Sequence, residues 1–213
     1  MPSPRWTWDD GTRRFRDGNT GRFVSERRIV DLRDQYTDAR SAFVQRATDR
    51  LINQGMSMPD WERLMREETK SAYINQYMLG RGGRNVMTQR DWGIIGRSLR
   101  DQYAYLDRLA TQIASGEITP GQARARARMY IEGSVQMFET AKVEARGIPR
   151  LNQVPGDGKT QCLSNCRCHQ EFTQEEDGTW LVTWILDPAA EHCEDCERLA
   201  AERVDTPAEN LAA

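Results

Sequence analysis

The chain is poor in lysine and histidine and has no long apolar run. Only 3 of its 30 basic residues are lysine, and only two residues are histidine. No stretch approaches the roughly 18–20 consecutive apolar residues of a membrane-spanning helix, so no membrane partner is expected. The opening MPSPRWTWDD lacks the apolar core of a secretory signal, which predicts synthesis in a reducing cytoplasm. Both histidines lie within the segment that holds the cysteines, so no Ser/His/Asp or Cys/His pair can be argued from the sequence. The carboxylates are scattered along helical stretches without an acid/base couple, and an enzyme is not expected. Hydrophobic residues make up 38%, charged residues 29%, and the mean hydropathy is −0.77. These values predict a thin core and much surface given to solvent or partners. The arginine bias identifies no partner, because a GC-rich coding sequence produces it too. The net charge of −2 hides an asymmetry: the N-terminal arm is basic, while residues 171–205 hold eleven acids against two arginines.

What is present is mostly helical pattern. Residues 14–24 read as two short strands around the turn Asp17-Gly18-Asn19-Thr20-Gly21, a hairpin signal. An isolated hairpin is marginal in water, so this one must lie against something. Trp6 and Trp8 share a face of an extended arm, to pack on the chain's own helices or to clasp a neighbouring subunit. A first helix is predicted from Ser25 to Ile52, with the apolar stripe Ile29, Leu32, Tyr36, Ala39, Phe43, Ala47 and Leu51. A second runs from Ser57 to about Leu79, where GRGGR stops it, and a third from Thr88 to Ser115. Thr119-Pro120 with Gln122 opens a fourth, expected to continue unbroken to Arg146.

Gly147 to Pro155 reads as an extended linker. Beyond it, CRCHQEF and TWLVTWIL suggest strands, followed by a short helix from about Cys193. The predicted fold is therefore mainly α: a helical body of about four helices with an extended arm and a small α+β cysteine-rich domain. The predicted boundaries are 1–25, 26–146 and 147–213.

Two motifs mislead. GKT at 158–160 resembles the end of a P-loop, but position 153 is Gln where the pattern needs Gly, and no apolar strand precedes it. ARARAR at 123–128 suggests DNA binding. On a helix, however, Arg124 and Arg128 share a face that Arg126 leaves, and Arg128 has Glu132 one turn on. A solvated face is expected.

The cysteines carry the strongest signal. All five, Cys162, Cys166, Cys168, Cys193 and Cys196, fall in one 35-residue window. An odd count without a secretory signal argues against a disulfide framework. Acids flanking the CxxC of Cys193 and Cys196 are expected to raise both thiol pKa values, the wrong direction for a redox nucleophile. A metal fits better. Tetrahedral zinc needs four of the five thiols, and Arg167 is the nearest group in sequence to offset their charge. In a region so poor in apolar residues, structural zinc would supply folding energy on the order of 10 kcal/mol.

VPGDGKTQCLSNCRCHQEF followed by WILDPAAEHCEDCERLA resembles the C-terminal part of phage head morphogenesis proteins, the Mu F-like minor head proteins. DGNTGRFVS and GEITPGQARARARMYIEGSVQMFE are similar to other segments of that group. In its commoner pattern the CxxC pair comes first and a Cys-Arg-Cys segment ends the domain, the reverse of the order here. The resemblance implies a structural virion protein, made in the host cytoplasm and built into the head. It would contact portal or major capsid subunits as part of an oligomeric assembly, with at most weak, non-specific contact to packaged DNA. The alternative from another class is a zinc-ribbon nucleic-acid-binding regulator, against which the acidic thiol region speaks.

Overall fold

The computed structural model describes residues 6–9, 11–12, 14–148, 151–202 and 204–206; the Trp6 and Trp8 side chains lie outside what is described. The element order is β1 (Trp6–Asp9), β2 (Arg14–Asp17), β3 (Phe23–Val24), α1 (Glu26–Ile52), α2 (Met58–Arg81), α3 (Gln89–Ala114), α4 (Pro120–Glu132), α5 (Val135–Ala145), β4 (His169–Gln174), β5 (Trp180–Ile185), α6 (Glu194–Ala201) and β6 (Val204–Thr206). The fold is mainly helical, with a cysteine cluster toward the C-terminus.

Helix ends follow local chemistry. Ser25, Ser57, Thr88 and Thr119 each accept an N–H three residues on, which satisfies one of the first-turn donors that have no helical partner. Thr88 and Asp91, and Thr119 and Gln122, form reciprocal capping boxes. Gly82 closes α2 at φ +94, a left-handed conformation that glycine adopts without a Cβ penalty.

The helix expected to run from Thr119 to Arg146 is instead broken at Gly133 and Ser134. Both residues keep helical dihedrals, but Ser134 N–H bonds Ile131 O at 3.0 Å and Met137 N–H bonds Ser134 O at 2.9 Å. These are three-residue steps, and the Ser134 hydroxyl also donates to Ile131 O at 2.6 Å. A Gly-Ser pair is a common cause of such an interruption. It changes the helix phase and lets α5 bury Phe138, Ala141 and Lys142 completely.

The face that α1 buries also differs from the apolar stripe. Ala39 is exposed, while Arg33, Thr37, Ser41 and Thr48 are buried. Hydrogen bonding offsets the cost of burying Arg33, Thr37 and Thr48. The Thr37 and Thr48 hydroxyls donate to carbonyls one turn back, the Gln76 amide donates to Thr37, and the Trp61 indole donates to Thr48 at 3.1 Å. α2 is the central helix, touched by α1, α3, α4 and α5. Its approach to α5 depends on Gly80, where a Cβ would lie 2.2 Å from the Phe138 carbonyl oxygen.

The hairpin forms as the turn signal indicates, with Phe15 opposite Val24 and Arg16 opposite Phe23. Asp17 Oδ1 accepts from the N–H groups of Asn19 and Thr20, and Gly21 takes φ +66. β1 adds a third antiparallel strand. Phe15, 2% exposed, packs with Ile29, Val30, Leu79 and Phe138, so the hairpin lies against the chain's own helices. The second sheet, in the order β4-β5-β6, is also antiparallel. Trp180 on β5 packs with Val143 and Ile148, which ties this sheet to the end of α5. No helix among the described residues is long and apolar enough to cross a membrane.

Candidate metal centre

Three pieces of chain bring the thiols together. Cys162 precedes a 3-10 turn at Leu163–Asn165, in which Leu163 holds φ +51. Cys166 and Cys168 follow immediately before β4. Cys193 caps α6, and Cys196 lies in its first turn. Trp184, Leu186 and Leu199 wall the cluster. Cys166, Cys168 and Cys196 are buried, whereas Cys162 and Cys193 are half-buried.

Cys162 Sγ stands 3.4 Å from Cys193 Sγ and 3.5 Å from Cys196 Sγ, and Cys166 Sγ stands 3.7 Å from Cys196 Sγ. All five cysteines are free. Bond lengths of about 2.3 Å from zinc to sulfur give a tetrahedral edge of about 3.8 Å, close to these separations. Donor type, donor number and spacing therefore fit a thiophilic metal ion. The cluster can hold one.

Neighbouring groups divide the thiols. The Cys166 thiol donates to Cys168 and, against the burial that pushes it up, pulls the Cys168 pKa down to about 5. Cys166 itself is raised, by giving that hydrogen bond and by burial. Cys196 is raised, first by burial. Cys193 is lowered: burial opposes ionisation, but the Cys196 and Cys162 backbone N–H groups and the Cys162 thiol outweigh it. The expectation that flanking acids raise both thiols of the CxxC thus fails at Cys193, where backbone donors decide. An N–H aimed at sulfur lowers the cost of a thiolate, whether the thiolate is free or metal-bound.

Arg167 does not serve the cluster. Its guanidinium turns to Asp38 on α1, at 2.5 and 3.3 Å. Arg33 takes the place beneath the Cys-Arg-Cys segment. Fully buried, it donates to the main-chain oxygens of Arg167 at 2.9 Å and Cys168 at 3.1 Å, and to Glu139 Oε1 at 2.9 Å. Glu139 in turn accepts from Gln170 N–H at 3.2 Å. Lys142, also fully buried, reaches Glu26 at 2.8 Å, Glu139 at 3.2 Å and the Gln170 carbonyl. These charges form the seam between α1, α5 and β4. Arg33, Glu139 and Lys142 are closed to solvent and mutually paired, which suits a structural role. No sequence signal separates them from surface charges on amphipathic helices.

His169 points away from the thiols, with Nε2 3.6 Å from Glu171. Burial first, then Lys142 and Arg33, lower its pKa to about 4. His192 was not among the expected ligands, yet its Nδ1 lies 3.9 Å from Cys168 Sγ. Its place directly before the CxxC was the available signal.

The two misleading motifs resolve as ordinary structure. Asp157 accepts from the N–H groups of Val154 and Lys159, both at 3.0 Å, so a carboxylate occupies the place a phosphate would need. Arg128 pairs with Glu132 at 2.6 Å, Arg126 bonds Gln112 at 2.6 Å, and Arg124 pairs with Asp49.

Comparison with protein-family models, curated proteins and solved structures finds no match to this chain.

Proposed function

We propose that the protein is a structural minor head protein of a tailed phage, with a zinc ion in a structural role in its thiol cluster. Its work is assembly: it contacts portal or major capsid subunits in the virion head, and its contact with packaged DNA is weak and non-specific. The likeness of the segments around 154–172 and 184–200 to the Mu F-like proteins motivates the assignment. The observation that carries the structural role is the Arg33 clamp. It joins the thiol segment to the helical body through buried hydrogen bonds, so a metal there would staple two parts of one scaffold. Zinc is the ion that an all-thiolate donor set of this spacing favours in a reducing compartment.

Metal analysis of protein purified without chelator, under reducing conditions, tests the zinc. Its absence rejects that part of the reading. Co-purification with a portal or major capsid protein at physiological salt tests the assembly role, and mass spectrometry of virions from the source phage tests the location. One observation favours a second reading, a nucleic-acid-binding regulator. Phe23 is 49% exposed, with the Arg16 and Arg14 guanidinium carbons 4.1 and 5.3 Å from its ring centre, a stacking surface flanked by cations. A tight, sequence-selective shift of duplex DNA at physiological salt would establish that reading over the first.

A further inference from the structure

The thiols do not form one tetrahedral group. They form two triads, Cys162–Cys193–Cys196 and Cys166–Cys168–Cys196. Within each triad every pair of sulfurs lies within 4.8 Å, and no four donors among the described residues meet that condition together. A single tetrahedral ion would have to draw ligands from both sides and leave at least one thiol without a role. The shared member is Cys196, 0% exposed, with Cys162 Sγ at 3.5 Å and Cys166 Sγ at 3.7 Å.

We infer that the cluster is a two-metal centre in which the Cys196 thiolate bridges two zinc ions. One ion takes Cys162, Cys193 and Cys196, and its fourth position faces solvent on the half-buried side. The other takes Cys166, Cys168 and Cys196, with His192 as fourth ligand. His192 Nδ1 lies 3.9 Å from Cys168 Sγ but not within 4.8 Å of all three sulfurs of this triad, so its ring must swing toward Cys166 and Cys196 to ligate. Cys196 suits the bridge because it belongs to both triads and is enclosed from solvent. Charge favours two ions as well. Five thiolates facing two divalent ions leave less residual negative charge than four facing one, beside a buried guanidinium, Arg33, that is already spent on carbonyls and Glu139. Each ligated thiol gives up its proton, so loading releases protons to solvent.

This inference rests on the zinc reading above, and the stoichiometry separates the two. Native mass spectrometry of the full chain, titrated with zinc, should show two ions per chain. His192→Ala should weaken retention of one ion about tenfold or more and leave the other, and Cys162→Ser should do the same for the other ion. Because a variant can lose its fold, the wild-type chain loaded with cadmium-113 provides an independent reading. A bridging thiolate makes two metal resonances that couple to each other. One ion per chain, or two uncoupled cadmium resonances, overturns the bridge and leaves a metal centre. No ion at all overturns both readings.

Discussion

The Arg33 guanidinium donates to the main-chain carbonyl of Cys168 at 3.1 Å, across 135 positions of sequence. The same side chain reaches the Arg167 carbonyl and Glu139, so one buried residue of α1 holds the thiol segment and a carboxylate of α5. Replacing it with Met leaves two carbonyls and part of Glu139 without donors in a dry environment. The expected loss is about 3–5 kcal/mol in urea unfolding. Arg33→Lys should recover little, because an ammonium cannot reproduce the planar fork. If Arg33→Lys unfolds at the wild-type midpoint, the fork geometry is not what matters.

Two glycines make opposite predictions. A Cβ on Gly80 would sit 2.2 Å from the Phe138 carbonyl oxygen and 3.0 Å from Ala141 Cβ, so Gly80→Ala must separate α2 from α5. It should cost about 1–3 kcal/mol. At Gly96, inside α3, a Cβ would meet open space, with no neighbouring atom within 4 Å. Gly96→Ala should therefore stabilise by about 0.5–1 kcal/mol. Thermal unfolding of the pair checks both signs. Equal shifts in the same direction would refute this account of the α2–α5 contact.

Much of the fold was legible because helix ends are local. Ser25, Ser57, Thr88 and Thr119 announce their caps in sequence and perform them in structure. The break at Gly133 and Ser134 was the harder part: the Gly-Ser pair was the available signal, but both residues keep helical dihedrals and only the hydrogen-bond step changes. The buried side of α1 was hidden for another reason. Arg33, Thr37 and Thr48 look like surface residues until Gln76, Trp61 and Glu139 supply their partners from distant positions. At the thiol cluster, sequence clustering brought out the five cysteines. The turning of Arg167 to Asp38 and the arrival of His192 beside Cys168 depend on tertiary placement.

Phe15 decides whether the N-terminal hairpin is an independent arm. At 2% exposure among Ile29, Val30, Leu79 and Phe138, it contributes to the chain's own core. Phe15→Ala should lower stability by about 3–4 kcal/mol, with the cost of the cavity added to the lost burial. The exposed Phe23 on the neighbouring strand should tolerate alanine within about 0.5 kcal/mol. Denaturant midpoints for the two variants give the comparison. Equal, small losses would mean the hairpin does not depend on the helices.

Asp91 provides a test in pH. Its carboxylate accepts from Tyr77 OH at 2.7 Å, and from Thr88 N–H at 2.7 Å and Thr88 OH at 2.8 Å. Burial pushes its pKa up, but the Thr88 and Tyr77 hydrogen bonds and Arg81 outweigh it, and the folded value lies below the ordinary 3.8. The folded state therefore holds this proton less tightly than the unfolded state does. The stabilisation is present in full above the unfolded pKa and is lost as pH falls through the folded one. Asp91→Asn should cost about 1–3 kcal/mol at neutral pH, because an amide cannot accept all these bonds with both of its ends. The gap between wild type and variant should stay level from about pH 8 down to about pH 5 and narrow below about pH 4, as Asp91 takes up its proton. Urea titrations at half-unit steps read that gap directly. A gap that stays constant down to about pH 2 would show that its size owes nothing to the charge on Asp91.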